Sequence, residues 1–290
     1  MAREIAFLTN PTSGRGDGAR YGAVATARLR DSGLVVRNLQ GRDADEAQDL
    51  ARASVADGVD AVVVCGGDGL VHLATQVLAN TGIPLGIIPA GSGNDVSRYF
   101  DLPRKDPVAA ADRVIASRLR TIDLARAGRR YYVTVLAAGF DAVVNERANQ
   151  MAWPRGQMRY NVATLAELRT FRPLPFTLDL DGTPLRVDAM LVAVGNGTSY
   201  GGGLRITEGA LLDDGLLDVV IIKEMTKTKL IRTYPKLFSG THVHEAEYVH
   251  HRVRSVTVAA PGVVSYADGE RFGELPLTVT CEPGALAVYA

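Results

Sequence analysis

Apolar and polar residues follow two different periods over the first 120 residues of the chain. Short continuous apolar runs predict buried strands, and stretches with apolar residues at every third or fourth position predict helices. The predicted strands are 5–8, 34–39, 61–65 and 84–88, and the predicted helices are 17–30, 44–56 and 70–79, with a short helix ending near residue 100. Strands alternating with helices are typical of a parallel sheet covered on both faces. The sequence therefore predicts an α/β amino-terminal domain.

The pattern changes after about residue 120. Strand-like runs follow one another at 131–136, 176–180, 185–194, 216–222, 253–259 and 275–281, and one helical stretch lies among them at about 160–170. Asp181-Gly182, between two of these runs, is a hairpin signal. We expect this half to be a mostly antiparallel β-sandwich, and the short polar stretch 125–130 predicts the boundary between the two halves.

Composition narrows the class of protein. The chain has 290 residues, 47% of them apolar, and 32 acidic residues balance 32 basic ones. This length is enough for two domains with their own cores, and the balanced charge argues against a dedicated nucleic-acid binder. Cys65 and Cys281 make neither a disulfide framework nor a zinc site. The chain lacks a signal-peptide pattern and any apolar run near the roughly 18 residues of a membrane span, which predicts a cytoplasmic protein.

Three glycine-rich polar turns follow predicted strands of the parallel sheet. They are Asn10-Pro11-Thr12-Ser13-Gly14, Gly66-Gly67-Asp68-Gly69 and Gly91-Ser92-Gly93-Asn94-Asp95. Ligands of such sheets gather at the carboxyl ends of the strands, and each turn leads into a helix whose free N–H groups favour phosphate. An Asp among phosphate-binding glycines would suit Mg²⁺. Any one turn could equally be a tight structural turn with Asp as a helix cap; three at one sheet edge favour a phosphate site.

These motifs resemble the catalytic domain of the diacylglycerol kinase superfamily, which includes bacterial lipid kinases and sphingosine kinases. The resemblance is carried by 66–69 followed by 89–95, by 10–14, by the acidic loop 213–219 and by Asp268-Gly269-Glu270, all in the family's order. The Gly-Gly-Asp-Gly motif alone is shared with NAD kinases and phosphofructokinases, so only the combination is specific. The resemblance implies an ATP-binding α/β domain of the NAD kinase and phosphofructokinase type over residues 1–125 with about 283–290, and a β-sandwich lipid-binding domain over 126–282.

The resemblance also implies roles for individual residues. Nucleotide contacts would come from Asn10, Pro11, Ser13, Gly14, Gly66, Gly67, Gly69, Gly91, Ser92, Gly93 and Asn94. Asp68, Asp95 and Asp123 would form a network with metal and water, in which Asp68 is catalytic. Glu270 would be the general base for the acceptor hydroxyl. A structural Mg²⁺ would be bound by Asp214 and by the carbonyls near Leu211 and Leu216.

Local sequence leaves alternatives open at several of these positions. From spacing alone, a hairpin turn is the better interpretation of Asp268-Gly269-Glu270, and a simple acidic turn would explain 213–215. The chain departs from the family at Leu70, where Thr is common, at His72, where Asn is usual, and at Glu208, where Pro often stands. Loss of the Thr hydroxyl would weaken a phosphate or cap contact, and His72 is expected to be structural.

Histidines and basic stretches give weaker signals. The cluster of His242, His244, His250 and His251 with Glu245 and Glu247 could suggest a metal site, but a surface hairpin is the better interpretation. Residues 146–172 carry five Arg against two Glu, and residues 223–236 carry five Lys or Arg against one Glu. Such basic faces could rest on anionic lipid headgroups, although an ordinary solvated surface explains them equally well.

The sequence favours an ATP- and Mg²⁺-dependent kinase of a lipid hydroxyl, with diacylglycerol as the expected acceptor and phosphatidic acid as the product. We expect a lipid alcohol substrate, no nucleic-acid partner and peripheral contact with the inner membrane face, and a homodimer stays open. One alternative is a soluble-substrate kinase of the NAD kinase type. The other is a nucleotide- or lipid-binding regulator without turnover, which Leu70 keeps open.

Overall fold

The computed structural model describes residues 3–140 and 172–290, together with residues 144, 147 and 151. The predicted helix at about 160–170 and most of the basic stretch 146–172 lie outside the described residues. Among the helices of this part of the chain, none combines the length and the apolar character needed to cross a bilayer.

The first part of the chain forms a parallel sheet with helices between its strands. Its elements are β1 (Glu4–Thr9), a 3₁₀ turn (Ser13–Gly16), α1 (Asp17–Asp31), β2 (Val35–Leu39), α2 (Ala44–Ala56), β3 (Ala61–Gly66), α3 (Asp68–Leu78), β4 (Leu85–Pro89), α4 (Asp95–Tyr99) and α5 (Pro107–Ala116). The strands lie in the order β4-β3-β1-β2 and all pair in parallel. Every residue of β3 and β4 is buried, because helices cover both faces of the sheet.

The second part is dominated by antiparallel strands. Its elements are β5 (Leu119–Ala127), β6 (Arg130–Tyr132), β7 (Val135–Gly139), β8 (Leu174–Leu180), β9 (Thr183–Gly195), β10 (Leu217–Lys223), α6 (Lys227–Thr233), α7 (Lys236–Ser239), a 3₁₀ turn (Thr241–His244), β11 (Tyr248–Val253), β12 (Ser255–Ala259), β13 (Val264–Ala267), β14 (Glu270–Glu274) and β15 (Leu277–Tyr289). All pairs among these strands are antiparallel. The predicted fold class, an α/β domain followed by an antiparallel β domain, is confirmed.

Strand β15 joins the two parts of the molecule. Its first residues pair with β12, and near its end Val288 pairs in parallel with Leu85 of β4. Strand β5 runs antiparallel to β15 over almost its whole length, with an irregularity between Glu282 and Leu286. The last residues of the chain therefore extend the amino-terminal sheet.

Three details of the sequence-based elements are corrected. The stretch 125–130 is not polar throughout, because β5 continues to Ala127 and buries Ala125 and Ala127. The predicted strand 131–136 is interrupted at Val133 and Thr134, and the predicted strand 253–259 is interrupted at Arg254. The four histidines also do not form the predicted surface hairpin. His242 and His244 lie in a 3₁₀ turn, and His242 is buried. Only His250 and His251 lie on β11.

Candidate active site

The three glycine turns meet at the carboxyl ends of β1, β3 and β4. A Cβ atom on Gly91 would lie 2.4 Å from the Cα of Gly67, and one on Gly14 would lie 2.1 Å from the carbonyl oxygen of Ala90. The hydroxyl of Ser13 lies 3.6 Å from the point where Gly67 would carry a Cβ. Backbones packed this closely leave no room for side chains, so the glycines allow the turns to converge.

Two Asn side chains brace these turns. Asn94 has a left-handed backbone, with φ of 54°, and its Oδ1 accepts the Gly91 N–H at 3.0 Å while its Nδ2 donates to the Gly91 carbonyl at 2.7 Å. In the first turn, Oδ1 of Asn10 accepts from the backbone and the hydroxyl of Thr12. Ser92, by contrast, is exposed. Asn94 and Asn10 thus hold the shape of the turns, and Ser92 is open to a ligand.

Asp68 and Asp95 come together at the starts of α3 and α4. The Asp95 N–H donates to Oδ1 of Asp68 at 2.7 Å. Oδ2 of Asp95 accepts the Gly202 N–H at 2.7 Å, whereas its Oδ1 is buried and has no hydrogen-bond partner. Burial, and then the neighbouring charge of Asp95, raise the pKa of Asp68 to about 6. Burial also raises the pKa of Asp95.

Such a pair of carboxylates fits a divalent cation. Two like charges in a poorly solvated site repel each other, and a cation would remove that repulsion. Carboxylate oxygens are also the ligands that Mg²⁺ prefers. Asp68 and Oδ1 of Asp95, which accepts no hydrogen bond and lies 3.8 Å from Nε of Arg98, are therefore the groups that could hold it.

Glu270 lies next to this corner of the site. A two-residue turn, Asp268-Gly269, joins β13 to β14, and both turn residues have positive φ, 53° and 85°. This is the hairpin turn that local sequence indicates, and it puts Glu270 first on β14. Oε1 of Glu270 lies 3.9 Å from the point where Gly69 would carry a Cβ. The hairpin therefore brings an exposed carboxylate beside the residue that follows Asp68.

The buried Asp268 anchors that hairpin. Its Oδ1 accepts the N–H of Thr134 at 3.0 Å and the Thr134 hydroxyl at 2.5 Å. Its Oδ2 accepts the Val133 N–H at 3.2 Å and lies 3.0 Å from Nδ1 of His72. Burial alone would raise the pKa of Asp268, but the contacts with His72 and Thr134 outweigh it and lower this pKa. Sequence reasoning missed this anchor; the unusual His72 was its only signal.

Asp123 has a different set of hydrogen-bond partners from Asp68 and Asp95. Its buried carboxylate accepts the N–H groups of Gly215 and Gly284, at 2.7 and 2.8 Å, and its own N–H donates to the carbonyl of Leu212 at 2.6 Å. The structure thus joins Asp68 with Asp95, whereas these hydrogen bonds tie Asp123 to the acidic loop and to β15.

In the acidic loop 213–219, two carboxylates pair with arginines. Oδ1 of Asp214 accepts the Leu216 N–H at 3.0 Å, and its Oδ2 contacts the guanidinium of Arg252. Asp213 pairs with Arg120 at 3.1 Å. Both Asp214 oxygens are therefore engaged, and Mg²⁺ at this loop would have to displace Arg252. The structural metal site at Leu211, Asp214 and Leu216 stays a prediction.

A cavity adjoins the first glycine turn. It has a volume of about 480 Å³, within the usual range for small-molecule pockets. It opens between α1 and the carboxyl ends of β1 and β2, and its lining includes Pro11, Thr26, Asn38 and Leu39. Sequence reasoning did not single out Thr26, Asn38 or Leu39, because they are scattered along the chain.

Comparisons with known proteins agree with this geometry. The family described as "Diacylglycerol kinase catalytic domain" matches residues 4–127, and the one described as "YegS C-terminal NAD kinase beta sandwich-like domain" matches residues 134–290. A curated diacylglycerol kinase of Mycobacterium tuberculosis (strain H37Rv) is 48% identical over 98% of this chain and 94% of the relative. One of Bacillus subtilis is 26% identical over 93% and 90%.

A solved structure has the same fold. The crystal structure of a diacylglycerol kinase from Bacillus anthracis str. Sterne superposes with a TM-score of 0.79, covering 99% of this chain and 96% of the other, at 24% identity. Because the matches span both halves of the sequence at up to 48% identity, this chain belongs to the bacterial diacylglycerol kinase family of lipid kinases.

Proposed function

We propose that this lipid kinase transfers the γ-phosphoryl group of ATP to the hydroxyl of diacylglycerol and forms phosphatidic acid. The observation that carries the proposal is the approach of Glu270 to Gly69, which brings a carboxylate from the β domain to the glycine turns of the α/β domain. Relatives named diacylglycerol kinases support the choice of acceptor.

The glycine turns are the proposed binding site of the triphosphate. The N-terminus of α3, an 11-residue helix that begins at Asp68, presents free N–H groups that favour anions. Gly67, Gly69 and Gly91 allow the phosphates to approach the backbone. The cavity beside Pro11 is the proposed site of the nucleoside.

Asp68 and Asp95 are the proposed holders of Mg²⁺, which would neutralise negative charge on the phosphate oxygens. The chain itself contributes positioning. The Asp95 N–H fixes the Asp68 carboxylate, and Gly202, from the β domain, fixes Asp95. This corner therefore depends on both halves of the molecule.

Glu270 is the proposed general base. A base must come within hydrogen-bond reach of the proton that it removes, and the exposed Glu270 side chain can meet an acceptor that enters between the domains. Its carboxylate would take the hydroxyl proton as the oxygen attacks the γ-phosphorus, while the bond from that phosphorus to the β,γ-bridging oxygen breaks and ADP leaves. The turn Asp268-Gly269 and strand β14 hold it there.

The acceptor is a membrane lipid, so the enzyme must meet a membrane surface. Ile231 and Phe238 are exposed by 53% and 47%, and Arg232 and Lys236 lie close to them in the sequence. We propose the exposed residues of α6 and α7 as the peripheral contact, with Arg232 as its positive charge, because Lys236 already pairs with Glu245. Ile231→Ser with Phe238→Ser should reduce co-sedimentation with anionic vesicles; unchanged binding would refute this contact.

The direct test is transfer of labelled phosphate from Mg-ATP to diacylglycerol in mixed micelles, with NAD as a parallel acceptor. We expect labelled phosphatidic acid, its loss in Asp68→Ala, and normal activity in Asp49→Ala, which changes an exposed residue of α2. Labelled NADP instead would favour the soluble-substrate kinase. ATP binding by calorimetry without transfer to any lipid alcohol would favour a regulator without turnover.

A further inference from the structure

We infer that His72 is a positioning residue for Glu270, and that it does so by bridging α3 to both sides of the hairpin that carries Glu270. The inference rests on the proposed function, because it takes Glu270 as the group that meets the acceptor hydroxyl.

His72 is held between two charged groups. It lies on α3 one turn after Asp68 and is 7% exposed. Its Nδ1 lies 3.0 Å from Oδ2 of Asp268, and its Nε2 lies 3.4 Å from Nη2 of Arg130. An arginine nitrogen can only donate a hydrogen bond, so Nε2 accepts and the ring proton is on Nδ1. His72 therefore donates to Asp268.

Asp268 and Arg130 each hold the chain on one side of Glu270. Asp268 forms the turn just before it. Arg130 donates from Nη1 to the carbonyl oxygen of Arg271 at 2.7 Å, and its guanidinium lies 4.1 Å from the ring centroid of Phe272. The Phe272 ring also meets the His72 ring edge-on, at 5.8 Å between centroids. His72 thus contacts groups that fix the residues before and after Glu270.

Glu270 needs such support because its side chain has no hydrogen-bond partner within the described ranges. Its position is set by the backbone of the turn and of β14. Asp68 and His72 lie on the same helix, one turn apart. The bridge from His72 therefore fixes the hairpin relative to Asp68, and with it the distance between the base and the proposed phosphate site.

The test compares His72→Leu with His72→Asn, in purified full-length enzyme with Mg-ATP and diacylglycerol micelles. Leu keeps the volume but cannot donate to Asp268. An Asn amide can donate from about the place of Nδ1. We expect His72→Leu to lower kcat about 10- to 100-fold, as small misplacements of catalytic groups do, with KM for ATP within about twofold. His72→Asn should restore most of kcat, and His244→Leu, an exposed residue, should change neither constant.

The outcomes separate the two proposals. Wild-type enzyme that transfers phosphate to no lipid would refute the proposed function. Active wild type with a fully active His72→Leu, or an equal loss in His72→Asn, would refute the positioning role. If His72→Leu does not fold, Arg130→Met takes its place, and unchanged kcat in that variant would refute the bridge. Nitrogen-15 NMR of His72 should show the Nδ1–H tautomer, and an Nε2–H ring would contradict the assignment independently of activity.

Discussion

The backbone N–H of Asp95 donates to the Asp68 carboxylate at 2.7 Å, although the two residues are 27 positions apart in the chain. This contact holds two acids at the starts of two helices. It keeps them close even though burial opposes the ionisation of both acids and the charge of Asp95 further opposes that of Asp68.

Asp68→Asn should stabilise the protein in the absence of metal and nucleotide while it abolishes phosphate transfer. The pKa of Asp68 rises from 3.8 to about 6 on folding. The folded state therefore binds the proton of Asp68 more tightly than the unfolded state does. The contribution of Asp68 to the wild-type free energy of unfolding is lost as pH rises from about 4 to about 6. An Asn side chain keeps the acceptor for the Asp95 N–H and carries no charge.

We expect the gain at pH 7.5 to be about 1–2 kcal/mol after allowance for partial exposure. Thermal unfolding of both proteins in EDTA, from pH 4 to pH 8, checks it. The two curves should converge toward pH 4. A variant less stable than wild type at pH 7.5 would contradict the proposed cost of the ionised pair.

Glu270→Gln should abolish most phosphate transfer while ATP still binds. The amide cannot accept the hydroxyl proton, so kcat should fall by about 10²- to 10⁴-fold, the usual contribution of a general base. ATP affinity by calorimetry should stay unchanged. Glu274→Gln, an exposed residue at the other end of β14, is the matched control and should keep full activity.

Gly91→Ala should disrupt the nucleotide site. Its Cβ would lie 2.4 Å from the Cα of Gly67, so one turn must move, at a cost of about 1–3 kcal/mol. We expect a lower unfolding midpoint and weaker ATP binding. In Gly69→Ala the nearest atom, Oε1 of Glu270, would be at 3.9 Å, and the midpoint should not fall. Equal midpoints for the two variants would show that the turns are not in close contact.

Arg252→Ala should create a response to Mg²⁺. In an Asp68→Asn background, which removes the proposed cation site at Asp68 and Asp95, the Arg252 guanidinium still neutralises Asp214, so Mg²⁺ without nucleotide should leave the unfolding midpoint unchanged. Without the guanidinium, Asp214 becomes available to a cation, and millimolar Mg²⁺ should raise the midpoint of the variant. Arg254→Ala, with an exposed side chain, is the control. A Mg²⁺-dependent rise in the Asp68→Asn protein with Arg252 intact would instead support a metal bound at 211–216.

Local periodicity predicted most elements of the α/β half, although it missed α5 (Pro107–Ala116). The helix predicted over 44–56 is α2 (Ala44–Ala56), because the Asp43 side chain accepts the Glu46 N–H and caps its start. The helix predicted over 17–30 ends one residue later, at Asp31. In this half, the residues that form each apolar face or each helix cap lie close to one another in the sequence.

Long-range hydrogen bonds explain where local patterns failed. The predicted strand 131–136 breaks because the N–H groups of Val133 and Thr134 turn to Asp268. The predicted strand 253–259 breaks at Arg254, whose N–H donates to Asp181. The family resemblance indicated Glu270 as a site residue, but no local pattern could show that His72 and Asp268, 196 positions apart, would meet.

The path of β15 has a consequence for biosynthesis. Val288 pairs with Leu85 of β4, so a segment that is translated about 200 residues after β4 is built into the sheet of the α/β half. Chains usually fold from the amino terminus during translation, but the β4 edge of this sheet has no partner until β15 has been synthesised. A nascent chain stalled before residue 286 should therefore be more open to proteases along β4 than the released protein.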